Sequence, residues 1–376
     1  MTTDRQTFPA YRFSGSHLAI GRAYGDACGD DIRRHRDLAL DRLRRRAKIA
    51  PERAVAGALA YRRFVVDHAP FLDEEIRGVA EGAGLSLAEA YFLQLRAEAA
   101  VITPDETGDE CTTFAVLPGA TSDGIGLVGQ NADLPAFYRE ISVVIELVPD
   151  DGPAVLLLTP AGQVSYIGIN DRGLGVFANF LSCDGWRVGF PRYLLTRLAM
   201  TQETVEAALA AVRTVPRASS RNLIMLDANG VAADLETTAT RDARLDPEAG
   251  LLAHSNHYLA PELLAEERGT DRGVANSKVR CQRMRTLLEQ HRGELDATLM
   301  QTLLRDRSDR HDSICRVAAD DPTSNVMTFA SVIAEPTKGQ MWVAIGPPSE
   351  HSYRRYAFAA STEPHHVGEV DRMLSR

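Results

Sequence analysis

Cys111 stands in GDECTTFAV, residues 108–116, behind two acids and ahead of a β-branched, apolar run. At the head of a strand it can be a core thiol, or it can become a chain terminus. An N-terminal cysteine carries nucleophile and base on one residue, because its thiol ionises near about 8.5 and a free α-amine near about 7.7–8.0. The amine can take the thiol proton near neutral pH, directly or through a water, and no separate histidine is needed. Exposing that amine requires the Glu110–Cys111 bond to break. The same thiol can break it by attacking its own preceding carbonyl, after which water hydrolyses the thioester. The loop ITPDETGDE, residues 102–110, would offer the accessible backbone this step wants. Buried inert thiols are the commoner fate of strand cysteines, and they are the competing reading.

Other chemistries have weaker claims. The five cysteines, Cys28, Cys111, Cys183, Cys281 and Cys315, are odd in number, scattered and without CxxC spacing, which argues against a disulfide framework or a zinc site. GIGLVG, residues 124–129, matches GxGxxG letter for letter, but a turn precedes it and Asn-Ala-Asp-Leu-Pro follows soon after, where the dinucleotide motif needs a strand and a helix. The sequence contains no GxxxxGK[ST], HExxH, EF-hand or GxSxG pattern. No cofactor or metal is expected, and His365 and His366 sit where a tail is the default. Two alternatives to self-cleavage stay open. One is a papain-like thiol hydrolase pairing a cysteine with His254 or His257; the other is a non-catalytic binding protein that retains the fold.

The elements that must position these residues change character at Cys111. Residues 16–100 carry apolar residues at helical spacing, and LSLAEAYFLQLRAEAAVI continues as helix until Pro104. The basic cluster Arg42 and Arg44–Arg46 is flanked by acids and reads as a solvated face. From Cys111 the pattern becomes strands (CTTFAVL, GIGLVGQ, SVVIELV, AVLLLTP, QVSYIGI, GLGVFANFL) separated by Gly, Asn, Asp and Pro turns, an antiparallel meander. Two helices follow near PRYLLTRLAM and TVEAALAAVRTV, the second with Thr204 as N-cap. Strands NLIMLD, VAADLETT and LLAHSN, a helical stretch over about 260–306, and strands VMTFASVIA and GQMWVAIGP complete the chain. Helices grouped between groups of strands predict an α+β fold in which two antiparallel sheets pack face to face under outer helices.

A chain of 376 residues with 44% hydrophobic and 25% charged residues can bury a substantial core. A formal net charge of −9 argues against nucleic acid as a partner, because that affinity rests on cationic contacts. The N-terminus lacks the charged-then-apolar order of a secretory signal, and no apolar run approaches the roughly 20 residues of a membrane helix. A cytoplasmic protein without a membrane partner is expected.

Seven segments occur in one order: GSHLAIGRAYG, ECTTFAV, VGQNADLP, YIGINDRGLGVFANFL, HSNHYL, ICRV and IGPPS. On them the chain resembles the acyl-coenzyme A:6-aminopenicillanic acid acyltransferase (isopenicillin N acyltransferase-like) family within the N-terminal nucleophile hydrolases. It is more distantly similar to penicillin V acylases and bile salt hydrolases. The resemblance implies a four-layer αββα sandwich. It also implies an α segment 1–110, helical and retained as the cleaved partner of a catalytic β segment 111–376, the two forming one compact unit. Cys111 would be the nucleophile, and Asp133, 133 − 111 = 22 residues on, the acid that holds its amine. Asn256 would be the oxyanion amide and Asn179 a second polar group of the site. Arg316 would be the arginine near the thiol that lowers its pKa. Substrates would be small-molecule amides or acyl-coenzyme A thioesters, resolved by water or by an amine; a homo-oligomer stays open. Two positions depart from the pattern: Glu110 stands where the penicillin enzyme has glycine, and Gln130 where bile salt hydrolases have arginine.

Overall fold

The computed structural model describes residues 5–46, 48–95, 98, 110–318, 325–359 and 371–372. Pro104, most of the loop before Glu110, and His365 and His366 lie outside these residues. The strands are β1 (Ala10–Gly15), β2 (Glu110–Val116), β3 (Leu127–Pro135), β4 (Ser142–Pro149), β5 (Val155–Pro160), β6 (Ile167–Asn170), β7 (Gly175–Asn179) and β8 (Arg221–Leu226). They continue with β9 (Ala232–Thr237), β10 (Asp242–Leu245), β11 (Leu251–His254), β12 (Val326–Glu335), β13 (Gln340–Ile345), β14 (Tyr353–Ala357) and β15 (Asp371–Arg372). The α-helices are α1 (His17–Ala27), α2 (Gly29–Arg46), α3 (Pro51–Ala58), α4 (Arg62–His68), α5 (Pro70–Ala83), α6 (Leu87–Leu93), α7 (Tyr138–Ile141), α8 (Leu194–Ala199), α9 (Val205–Thr214), α10 (Asp271–Gln290) and α11 (Ala297–Leu303).

Two sheets form, a nine-stranded one in the order β10-β9-β8-β7-β6-β5-β4-β1-β15 and a six-stranded one in the order β11-β2-β3-β12-β13-β14. Strand alternation divides the core into layers. Val143, Ile145 and Leu147 of β4 face α1, α5 and their neighbours, whereas Val144 faces the other sheet. On β8, Leu223 and Met225 pack outward while Ile224 and Leu226 pack between the sheets. Across the six-stranded sheet, Phe114 and Val116 of β2 pack on Met284 and Leu287 of α10, and Cys111 and Ala115 point inward. The result is the expected α+β sandwich of four layers, helices–sheet–sheet–helices.

Some elements depart from the sequence reading. β1, not anticipated, inserts parallel beside β4, so the nine-stranded sheet is not wholly antiparallel. The helix expected to run to Pro104 ends at Leu93. Its start is fixed by a capping box between Ser86 and Glu89. At its end the Gln94 amide donates to Gly162 O (2.8 Å) and accepts from Val164 N (3.2 Å), drawing the chain onto the loop after β5. The stretch near 260–306 is two helices, broken between Gln290 and Ala297. Asn-Ala-Asp-Leu-Pro, placed after the strand GIGLVGQ in the sequence reading, is the buried end of β3.

Candidate active site

Register places the site. β11 pairs with β2 as far as His254 opposite Thr113. Two residues further in each direction, where the ladder has parted, the Asn256 side chain replaces the missing backbone acceptor: its Oδ1 accepts the Cys111 N–H at 2.7 Å. The Cys111 carbonyl accepts from Arg280 Nη1 at 2.7 Å, and the same guanidinium donates to Thr112 Oγ1 (2.9 Å) and Asn256 Oδ1 (3.0 Å). Arg280 is wholly buried on α10 and is oriented from one turn earlier by Asn276 Oδ1, which accepts from its Nε at 2.8 Å. Both backbone polar groups of Cys111 are thus held by side chains.

On the other side of β2, Glu110 lies opposite Asp133 and Cys111 opposite Ala132. Asp133 is fully buried; Thr328 Oγ1 donates to its Oδ1 at 2.6 Å, while its Oδ2 has no hydrogen-bond partner among the described residues. Burial pushes the Asp133 carboxyl up to about 7, with the Arg280 charge and the Thr328 bond pulling against it. Burial also pushes the Cys111 thiol up to about 11, helped by the Asp133 charge and opposed by a hydrogen bond from the Asp133 backbone, Arg280 and Arg221. In the unbroken chain the thiol is therefore held protonated, with an acid beside it that lacks a cation of its own strand.

The remaining expected residues divide. Asn179, at the end of β7, lines the same small cavity as Cys111; its Nδ2 donates to Thr113 Oγ1 (2.9 Å) and lies 3.3 Å from His254 Nδ1, and its Oδ1 has no hydrogen-bond partner among the described residues. Asn256 Nδ2 donates to Phe180 O at 3.0 Å, which uses one of its two hydrogens. Arg316 Nη1 is paired with Glu110 Oε2, and Arg280 Nη2 lies 3.6 Å from the same oxygen. Arg316 therefore meets the residue before the cysteine, and the arginine that touches Cys111 is Arg280. Gln130 joins the sheets, its Oε1 accepting Ala178 N at 2.9 Å.

Neither histidine considered as a thiol partner bonds to Cys111 among the described residues. His254 sets Nε2 against Glu236 Oε1 and Nδ1 against Ser255 O, both at 2.7 Å. Burial pulls its pKa down, but Asp234 and Glu236 outweigh this and leave it at about 9. His257 Nδ1 lies 2.7 Å from Ser277 Oγ, and burial together with the His254 charge lowers it to about 3.

Sequence reasoning missed Arg280, and it missed Arg192 and Arg221 of the Cys111 cavity. For Arg280 a signal was present: Asn276, Ser277, Arg280, Cys281, Met284, Leu287 and Leu288 form one buried face at helical spacing, on which a polar pair is out of place unless it meets something polar.

The family model "Acyl-coenzyme A:6-aminopenicillanic acid acyl-transferase" matches residues 120–350, and the chain belongs to that family. It is 25% identical over 338 residues to the acyl-coenzyme A:6-aminopenicillanic-acid-acyltransferase 40 kDa form of Emericella nidulans, spanning 89% of this chain and 92% of that one. Among solved structures it is similar to a conjugated bile acid hydrolase from Clostridium perfringens, at TM-score 0.43 and 14% identity over 69% of this chain and 100% of that one. It is also similar to penicillin V acylase from Agrobacterium tumefaciens, at TM-score 0.40 and 11% identity over 62% and 83%. No described helix is long and apolar enough to cross a membrane.

Proposed function

We propose that the chain is the precursor of a cysteine amidohydrolase or acyltransferase that cuts itself between Glu110 and Cys111 and then acts on small-molecule amides or acyl thioesters. In maturation the Cys111 sulfur adds to the Glu110 carbonyl carbon, the C–N bond breaks, and the nitrogen leaves as an amine. Water then hydrolyses the thioester, releasing the Glu110 carboxylate and the thiol. The freed ammonium would have Asp133 Oδ2 as its partner, and the paired charges would lower the thiol pKa that burial now raises.

In turnover the thiolate attacks the substrate carbonyl. The second Nδ2 hydrogen of Asn256 and a backbone N–H receive the oxyanion, and the Cys111 ammonium protonates the leaving group. Asn179, which lines the same cavity as Cys111, is the second polar group of the site. Water or an amine resolves the thioester, and access of water to the cavity decides between hydrolysis and transfer. Segment 1–110 would stay bound through β1, which is embedded in the nine-stranded sheet.

The observation that carries this reading is the transfer of both Cys111 backbone groups to the side chains of Asn256 and Arg280, beside the unpartnered Asp133 Oδ2. A screen of acyl amides and acyl-coenzyme A thioesters, with and without amine acceptors, tests it. Turnover in the parent and none in Cys111→Ala is expected; turnover that survives in Cys111→Ala contradicts it.

A further inference from the structure

A cleft of about 450 Å³ lies between β10 and β11, the end strands of the two sheets. That volume falls within the roughly 300–1,000 Å³ of small-molecule sites. Leu251, Leu252 and Ala253 of its wall pair with Val116, Ala115 and Phe114 of β2. They therefore stand about 10–17 Å along the strand from the level of Cys111, at about 3.4 Å per residue. No residue lines both this cleft and the small cavity in front of Cys111.

Leu245, Leu252, Leu259 and Leu288 give the cleft apolar sides. Asp234 of β9 also lines it, on the inward face of its strand with Ala232, while Ala233 and Leu235 pack on the outer helices. Asp234 is 1% exposed. Asn222 Nδ2 donates to its Oδ1, but its Oδ2 has no hydrogen-bond partner among the described residues. His254 does not supply the missing donor, since its Nε2 is set against Glu236 Oε1 and its Nδ1 against Ser255 O. The other charged lining residues are the exposed acids Asp246, Glu248 and Glu289, with Arg244 and Arg285. Arg244 is already bound to Asp246 and Glu206, each at 2.6 Å. Acid is thus in excess around the cleft.

A buried carboxylate oxygen without a donor is unfavourable, and a ligand that brings a donor recovers that loss. Burial pushes the Asp234 carboxyl up to about 7, with the His254 charge pulling against it and the Glu236 charge adding to it. At pH 8 it is mostly ionised, while an alkyl ammonium, like the lysine side chain, keeps its proton to about 10.4. The excess of acid disfavours an anion, and the leucines suit an alkyl or aryl body. No group of three or more His, Cys, Asp or Glu among the described residues could hold a metal ion.

We propose that this cleft is a second small-molecule site, apart from Cys111, which binds a primary ammonium on an apolar body with Asp234 Oδ2 as its counter-ion. The site does not require Cys111 to be the nucleophile.

Calorimetry of the purified protein at pH 8 with hexylammonium, hexanol and hexanoate tests it. Hexylammonium is expected to bind at least about tenfold more tightly than the other two. Asp234→Asn, which keeps the side-chain shape, should remove that advantage and leave hexanol binding within about twofold. Leu259 is half-buried on the cleft wall, and Leu259→Trp should weaken hexylammonium and hexanol alike by about tenfold, by filling the space. Hexylammonium binding no tighter than hexanol, or unmoved by Asp234→Asn, overturns the proposal. Hexanoate binding tightest would make Arg285 the anchor and overturns it as well. Should Asp234→Asn unfold, or weaken hexanol equally, a parent crystal soaked in 4-bromophenethylammonium decides. Bromine in the cleft with the nitrogen within hydrogen-bond reach of Asp234 supports the site, and no bromine there overturns it.

Discussion

Arg280 and Arg316 converge on the same carboxylate, but only Arg280 also binds groups that a mature enzyme would keep. It holds the Cys111 carbonyl, Thr112 Oγ1 and Asn256 Oδ1 from inside α10. Arg280→Met takes the donor from the Cys111 carbonyl, Thr112 Oγ1 and Asn276 Oδ1, while Asn256 Oδ1 keeps the Cys111 N–H; at about 1–3 kcal/mol for each group left unsatisfied the loss should be about 3 kcal/mol or more. Urea unfolding should register that loss, and the variant should neither mature nor turn over. Arg316 acts through Glu110. Because Glu110 belongs to the leaving segment in the proposed maturation, Arg316→Ala is expected to slow the appearance of split chain by about tenfold, the equivalent of roughly 1.4 kcal/mol, and to leave the kcat of split enzyme within about twofold. Equal loss of both rates would put Arg316 in the turnover machinery instead.

The helices of the N-terminal segment are positioned by glycines. α1 and α5 cross so closely that a Cβ on Gly78 would overlap the Leu18 carbonyl oxygen and the Arg22 amide, and one on Gly25 would stand 2.7 Å from Val79 O. Gly78→Ala should therefore lower stability by about 3 kcal/mol, at the top of the overpacking range, although alanine is the better helix former. A melting temperature equal to the parent's would show that the crossing can open. Elements of this kind were partly legible in the sequence. Alternation marked β2, β4, β5, β8, β9 and β12, and Thr204 does cap α9. β1 was not legible, because the alternation in AYRFSG is short, with Tyr11 and Phe13 as its large apolar residues, and the strand gains its place from β4 alone among the long strands. The end of α6 was not legible either, since Gln94 bonds to Gly162, 68 residues away. Of the candidate site, Cys111, Asp133, Asn256 and Asn179 lie in short motifs on or beside strands. Arg221 was hidden among many arginines, and Arg280 was marked only by its place on the buried helical face of α10.

Across the whole molecule, buried titratable groups set a direction for stability with pH. Asp133 and Asp234 are both pushed up by burial to about 7, and His254 is raised to about 9 by Asp234 and Glu236 against its own burial. An acid that keeps its proton to about pH 7 in the fold, but loses it near about 4 when unfolded, leaves the unfolded chain with fewer protons in between. Stability then falls as pH rises through that window. His254 adds the same sign from about 6.5 to about 9, since the fold holds a proton the unfolded chain has released; His257, lowered to about 3, has the opposite sign below about 6.5 and is outnumbered there by the two aspartates. Urea unfolding of Cys111→Ala should thus show decreasing stability from about pH 4.5 to 9, and Asp133→Asn on that background should flatten the lower half. Rising stability over that range would contradict the assigned directions.

The most direct measurement is the intact mass of purified parent and Cys111→Ala protein under denaturing conditions, with size-exclusion chromatography of the same samples under native ones. The parent should give two masses that correspond to a break after Glu110, with the larger fragment beginning Cys-Thr-Thr-Phe, and should elute as one species; Cys111→Ala should give one mass. An unsplit parent that turns over acyl amides or thioesters would contradict the account.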